Sequence, residues 1–201
     1  MSLQAPPTHP TIVAVPTLPP IRMIKARWYR TAPRRAATQW IVLHCTDGHE
    51  GKRKAEDGAL EHARIPPRSQ GGKPRSVHWW VDTDSIVQSV PIECEAWHAG
   101  RNANMYGEGI ELCGRASQTR EQWLDALSLP MLQLAARLVR TRADALGLPL
   151  RLVTGPELRA HMPGITTHRE ITRAFPNDTT HTDPGAGFPL AEFLAAVQEC
   201  E

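Results

Sequence analysis

The chain has 201 residues, 41% of them apolar and 22% charged, with a formal net charge of +2. That is enough chain for one domain with a hydrophobic core, and the composition is that of an ordinary globular protein. So small a net charge gives no footing for nucleic-acid binding, and no window approaches the roughly 18 apolar residues that a membrane span needs.

Residues 1–21 form a segment with six prolines and few charges, read as an extended N-terminal arm because proline fixes φ and lacks an N–H. Residues 22–201 are read as the folded domain. The N-terminus has no basic start followed by an apolar run, so the sequence predicts synthesis in a cytoplasm without a signal peptide. Residues 23–29, MIKARWY, suggest an edge strand. The first clear strand is QWIVLHC, residues 39–45, an apolar, β-branched run of the kind found at the centre of a sheet. A charged segment from Lys52 to Arg64 has helical composition and stops at Pro66-Pro67. In SVHWWVDTDSIVQSVP, two β-type runs flank Asp82-Thr83-Asp84-Ser85, which predicts a hairpin. GIELC, residues 109–113, is another short strand, and its alternation puts Glu111 and Cys113 on one face.

Residues 119–147 have a helical pattern with Leu127, Met131, Leu134, Ala135 and Leu138 on one face. Pro130 should kink this helix or begin its second half, and Gly147 should end it. Leu150 to Val153 can form a further strand, residues 155–188 read as loops, and Leu190 to Val197 reads as a final helix. Strands alternating with helices imply an α/β fold, with a site at the strand ends.

Four cysteines, Cys45, Cys94, Cys113 and Cys200, form no CxxC pair and are read as buried thiols. Of the nine histidines, His9 falls in the arm, His49 and His62 are expected to face solvent, and His161 has no evident role. His44 differs because it ends the most apolar strand just before a turn. That position suits a rigid metal ligand, and equally a hydrogen-bonded histidine at a strand edge. His168 and Asp183 offer zinc-type donors, but their separation is no compact ligand motif like HExxH. Glu111 lies among apolar neighbours, where a carboxylate either faces a site or is a costly buried charge.

Five segments, in order from about residue 40 to 197, carry a resemblance: IVLHCT, SVHWWVDTDSIVQSVP, AWHAG, GEGIELCG, and THREI followed by THTDPG. Together they resemble the zinc amidase family that includes phage lysozyme-type amidases, cytosolic muropeptide amidases and animal peptidoglycan recognition proteins. The resemblance implies a central mixed β-sheet flanked by helices, one zinc ion per chain, and hydrolysis of the amide between N-acetylmuramic acid and L-alanine in peptidoglycan. It implies His44, His168 and Asp183 as metal ligands and Glu111 as the acid–base group. It also implies His181 as an oxyanion-side group, with His98, Trp97 and Asn104 contacting substrate. Two departures stand out: the stretch from His168 to Asp183 is longer than usual, and histidine replaces a common lysine at 181. Val77 occupies the place of a tyrosine that some phage members use, so a tyrosine-based mechanism is not expected.

The expected partner is peptidoglycan or a muropeptide, met by a monomer with no nucleic acid and no membrane insertion. A phage endolysin, made in the host cytoplasm and reaching the wall on release, is the leading role. A cytosolic recycling amidase is the alternative. A binding-only module is disfavoured because every ligand position is filled, and an unrelated α/β hydrolase because no GxSxG elbow is present.

Overall fold

A computed structural model describes residues 10–15 and 17–200. The expectations for residues 1–9, including His9, lie outside the described residues. The sheet has six strands: β1 (Arg22–Met23), β2 (Trp40–Cys45), β3 (Trp79–Val81), β4 (Ile86–Gln88), β5 (Gly107–Leu112) and β6 (Gly164–Thr167). Their order is β1-β4-β3-β5-β2-β6. Only the β3–β4 hairpin is antiparallel, so the sheet is mixed. The helices are α1 (Lys54–Arg64), α2 (Gly100–Tyr106), α3 (Arg120–Trp123), α4 (Leu129–Leu146), α5 (Gly155–Arg159), α6 (His168–Ala174) and α7 (Leu190–Glu199). None of the described helices is long and apolar enough to cross a membrane.

β2 is buried along its whole length, between β5 and β6. Its alternate residues serve two cores, as period-two geometry requires. Ile41, Leu43 and Cys45 join the larger cluster with α4 and α7. Trp40 and Val42 face the smaller one, built with residues of α2, α5 and α6. His44 therefore shares the smaller cluster's face, at the strand's C-terminal end. A groove opens at that end, lined by His44, Gly100 of α2 and His168 of α6.

The hairpin forms at the predicted turn. Asp82 accepts the N–H groups of Asp84 and Ser85 at 3.0 and 2.7 Å through one oxygen. Its other oxygen accepts the Ala55 N–H at 3.0 Å, in the first turn of α1. One buried carboxylate thus closes the turn and fixes the helix that walls the groove.

Several elements differ from the sequence reading. The edge strand expected over 23–29 is in register with β4 only at Arg22 and Met23, though the Ile24 and Ala26 N–H groups still reach the Gln88 and Ser89 carbonyls at 2.9 Å. The helix expected over 119–147 breaks into α3 and α4, with Pro130 in the first turn of α4, and Leu127 is exposed between them. The strand expected at Leu150–Val153 reduces to one bridge, Leu152 to Ile165. The region read as loops holds α5, β6 and α6. Gly164-Ile165-Thr166-Thr167 is too short and polar to be seen alone, yet it pairs with buried β2. The described part of the arm before β1 forms no helix or strand and packs on the larger cluster, with Ile12 buried in it beside Ala14, Val15 and Leu18. The Val15 N–H reaches the Gln133 carbonyl of α4 at 3.4 Å.

Candidate metal centre and its groove

Strand register places the key side chains. Glu111 of β5 is paired with His44 of β2 on one side and Trp80 of β3 on the other. Neighbouring residues in register point to the same face, so these three form a row across the sheet. On the far side β6 pairs up to Thr167 opposite Leu43, and His168 follows at once as the first residue of α6. The Thr167 hydroxyl accepts the Glu170 N–H at 3.3 Å and caps that helix. His168 is thereby delivered beside His44.

The two imidazoles converge with a carboxylate from the loop after α6. His44 Nδ1 lies 3.0 Å from His168 Nδ1 and 3.3 Å from Asp183 Oδ2. His168 Nδ1 lies 3.0 Å from Asp183 Oδ1. All three residues are buried, and their donor atoms lie within 4.8 Å of one another. Two facing ring nitrogens can share only one proton, so this packing suits an electrophile held between them better than a hydrogen-bond pair. Two nitrogens and a carboxylate oxygen are a donor set that suits zinc, with room for a fourth position.

The electrostatics follow from burial and these neighbours. Burial lowers the His44 pKa, which the adjoining Asp183 only partly offsets. Asp183 is itself buried, which raises its pKa, but hydrogen bonds from His168 and His44 overcome this and hold it far below the usual range. Glu111 behaves oppositely. Burial, with the charge of Asp183, pushes its carboxyl up to about 8, and its Oε2 has no hydrogen-bond partner.

These residues line a groove of about 600 Å³. Trp97, His98 and His181 are on its wall with them. His181 is exposed, stacked on His168 at 5.0 Å between ring centroids, with Nδ1 3.8 Å from Asp183 Oδ1. Asn104, expected to contact substrate, has a structural contact through its side-chain oxygen. Its Oδ1 accepts the backbone N–H groups of His98 and Ala99 at 2.8 and 3.0 Å, so it braces the loop that carries His98.

His62, expected in solvent, is buried. Its ring packs edge-on against Trp80, and Arg75 Nε donates to its Nε2 at 3.1 Å. Burial and that cation lower its pKa to about 4. His49 is exposed as expected, and the four cysteines are buried and free. Cys113 lines the groove, its thiol pushed beyond the normal range by burial.

The sequence reading missed Arg75, Trp80, Asp178 and Thr179, which also line the groove. Trp80 was detectable in principle, since the alternation of SVHWWV puts it one strand from Glu111 once the strand order is known. Asp178 and Thr179 lie in the unusually long loop and carried no motif. Asp178 Oδ2 accepts the N–H and the side-chain amide of Asn102 at 3.0 and 2.9 Å, and Thr179 Oγ1 lies 2.8 Å from His168 Nε2. These contacts tie the loop to α2 and to the second histidine.

The architecture matches solved structures closely. The hydrolase AmiA of Staphylococcus aureus, solved with its ligand, aligns with a TM-score of 0.64 at 16% identity, over 90% of this chain and 82% of that one. A mutant endolysin from Bacillus subtilis aligns at 0.57 and 19% identity, over 89% and 98%. A selenomethionine AmpD derivative aligns at 0.57 and 21%, over 92% and 98%. At these identities the likeness is one of fold. No curated protein sequence matches the chain. The sequence profile of N-acetylmuramoyl-L-alanine amidase covers residues 34–186, from before β2 to just past Asp183. The chain belongs to the N-acetylmuramoyl-L-alanine amidase family, hydrolases of peptidoglycan.

Proposed function

We propose that the chain is a zinc-dependent amidase that cuts polymeric peptidoglycan between the muramic acid lactyl group and L-alanine, in the role of an endolysin. The observation that carries the chemistry is the convergence of His44, His168 and Asp183 beside Glu111, whose Oε2 is buried without a partner. His44 and His168 would hold one zinc ion through Nδ1, and Asp183 through its carboxylate. When bound, zinc supplies Lewis acidity, acidifying water and polarising the scissile carbonyl.

Glu111 is the proton carrier. As a carboxylate it accepts the proton of the attacking water, and as an acid it delivers that proton to the departing alanine nitrogen. Its raised pKa suits both directions, because neither protonation state lies far from neutral pH. His181, at the groove's rim beside Asp183, donates to the oxygen of the tetrahedral carbon when protonated. Trp97 lines the wall and offers an apolar surface to the sugar or stem peptide. Trp28 stacks on Trp97 at 6.4 Å and keeps it in place.

The endolysin role is supported by the extent of the binding surface. The main groove adjoins a second depression of about 530 Å³, and the two share Asp57, Glu61 and Arg75. A binding surface that continues past the metal centre in this way has room for more of a polymer strand than a small soluble fragment would fill. The test is to compare turnover on a cell-wall suspension with turnover on soluble muropeptides. Faster clearing of the wall, abolished in His44→Ala, is the expected result. Activity confined to soluble muropeptides would assign the chain to recycling, and none on either substrate would leave a binding module.

A further inference from the structure

His98 stands apart from the other groove residues in what it touches. Its Nδ1 lies 2.9 Å from His44 Nε2, the ring nitrogen on the far side from His168 and Asp183. Its own Nε2 is buried and has no partner. The geometry points to His98 as a positioning residue: it accepts the Nε2–H of His44, and so locks His44 in the tautomer whose Nδ1 lone pair faces the metal position.

The argument is one of proton counting. A neutral imidazole carries one N–H, and a nitrogen that binds a metal carries none. If His44 Nδ1 is to bind, the ring's proton must sit on Nε2. Nε2 then needs an acceptor, and His98 Nδ1 is the atom opposite it. Acceptance by Nδ1 requires His98 to hold its own proton on Nε2, a buried nitrogen without a hydrogen-bond partner among the described residues. The opposite arrangement, with the proton on His98 Nδ1, would make His44 Nε2 the acceptor. It would put a proton on His44 Nδ1, pointing at the donors of His168 and Asp183.

The surroundings hold the His98 ring for this task. Asn104 fixes the backbone at His98 and Ala99. The ring lies against β5 where two glycines alternate with outward residues. A Cβ on Gly109 would come within 2.9 Å of His98 Nδ1, and one on Gly107 within 3.4 Å of Cε1. The ring thus fits a recess cut by absent side chains in the groove wall. Such outer partners of metal-binding histidines orient the ring and raise its basicity.

This inference rests on the zinc reading above. Its test is zinc affinity, measured by competition with a chromophoric chelator on the full chain, with hydrolysis not used as the readout. His98→Leu removes the acceptor and should weaken zinc binding about 10- to 100-fold. His98→Asn keeps an oxygen acceptor near the place of Nδ1 and should bind like the parent. Parental affinity in a folded His98→Leu would overturn the inference, as would equal weakening in both variants. Loss of zinc binding by the parent protein would instead refute the metal reading. Should His98→Leu fail to fold, nitrogen-15 NMR of the zinc-loaded parent decides. A proton on His44 Nε2 and none on His98 Nδ1 is expected, and a proton on His98 Nδ1 overturns it.

Discussion

Glu111 is a carboxylate that the groove holds without a hydrogen-bond partner for one oxygen, beside a second carboxylate, Asp183. Burial and that neighbour raise its pKa from 4.5 to about 8 in the metal-free protein. The folded state therefore binds this proton more tightly than the unfolded chain does. The resulting stability is fully present below about 4.5 and is lost as pH rises through about 8. Thermal melts of metal-free protein should show Glu111→Gln gaining on the parent as pH rises across this window. A gap that stays constant with pH would show that Glu111 is not desolvated. In the zinc-loaded protein, Glu111→Gln should keep its metal and lose about 10²- to 10⁴-fold in turnover, the usual worth of a positioned acid–base group. Parental turnover in that variant would remove Glu111 from the chemistry. A mid-strand glutamate among apolar residues already suggested a site in the sequence. The charge that raises its pKa comes from a loop 72 residues away, which only the fold brings near.

At the scale of elements, β5 is built asymmetrically. Gly107, Gly109 and Glu111 lie on the groove side, while Glu108 on the other face takes a paired hydrogen bond from Arg142 of α4 at 2.7 and 3.1 Å. That pairing anchors the strand from behind while the glycines leave room in front. Gly109→Ala would put a Cβ 2.9 Å from both His98 Nδ1 and Val77 Cγ2. Urea denaturation should show it destabilised by about 1–3 kcal/mol, the usual cost of overpacking. No loss of stability would mean that the recess is looser than its contacts indicate. GIELC was legible as a strand from its apolar alternation. The purpose of its glycines was not, because glycine marks only an absence, and what fills it comes from another part of the chain. The loop from Phe175 to Asp183 was equally opaque. Its Asp178 and Thr179 tethers are long-range hydrogen bonds with no periodic trace.

For the whole molecule, a ligand that binds the folded state alone adds stability by mass action. Zinc at about 100 times its dissociation constant should add about 2.7 kcal/mol, read as a rise in Tm that a chelator reverses. His44→Ala should melt at the same temperature with or without zinc. A zinc-insensitive parent would refute binding at this centre. By itself the sequence determined the family, the central strand, the hairpin, the last helix and the identity of the residues that now converge. Those features are local, written in apolar alternation, turn chemistry and short motifs. Tertiary structure alone decided the strand order β1-β4-β3-β5-β2-β6, which sets Trp80, Glu111 and His44 in one row and brings His168, at the end of β6, beside His44. It also buried His62, gave Asn104 a bracing contact to the His98 loop, and set His98 behind His44. The reason is physical: pairing between distant strands and the packing of a ring into a glycine recess depend on separations in space that no stretch of sequence carries.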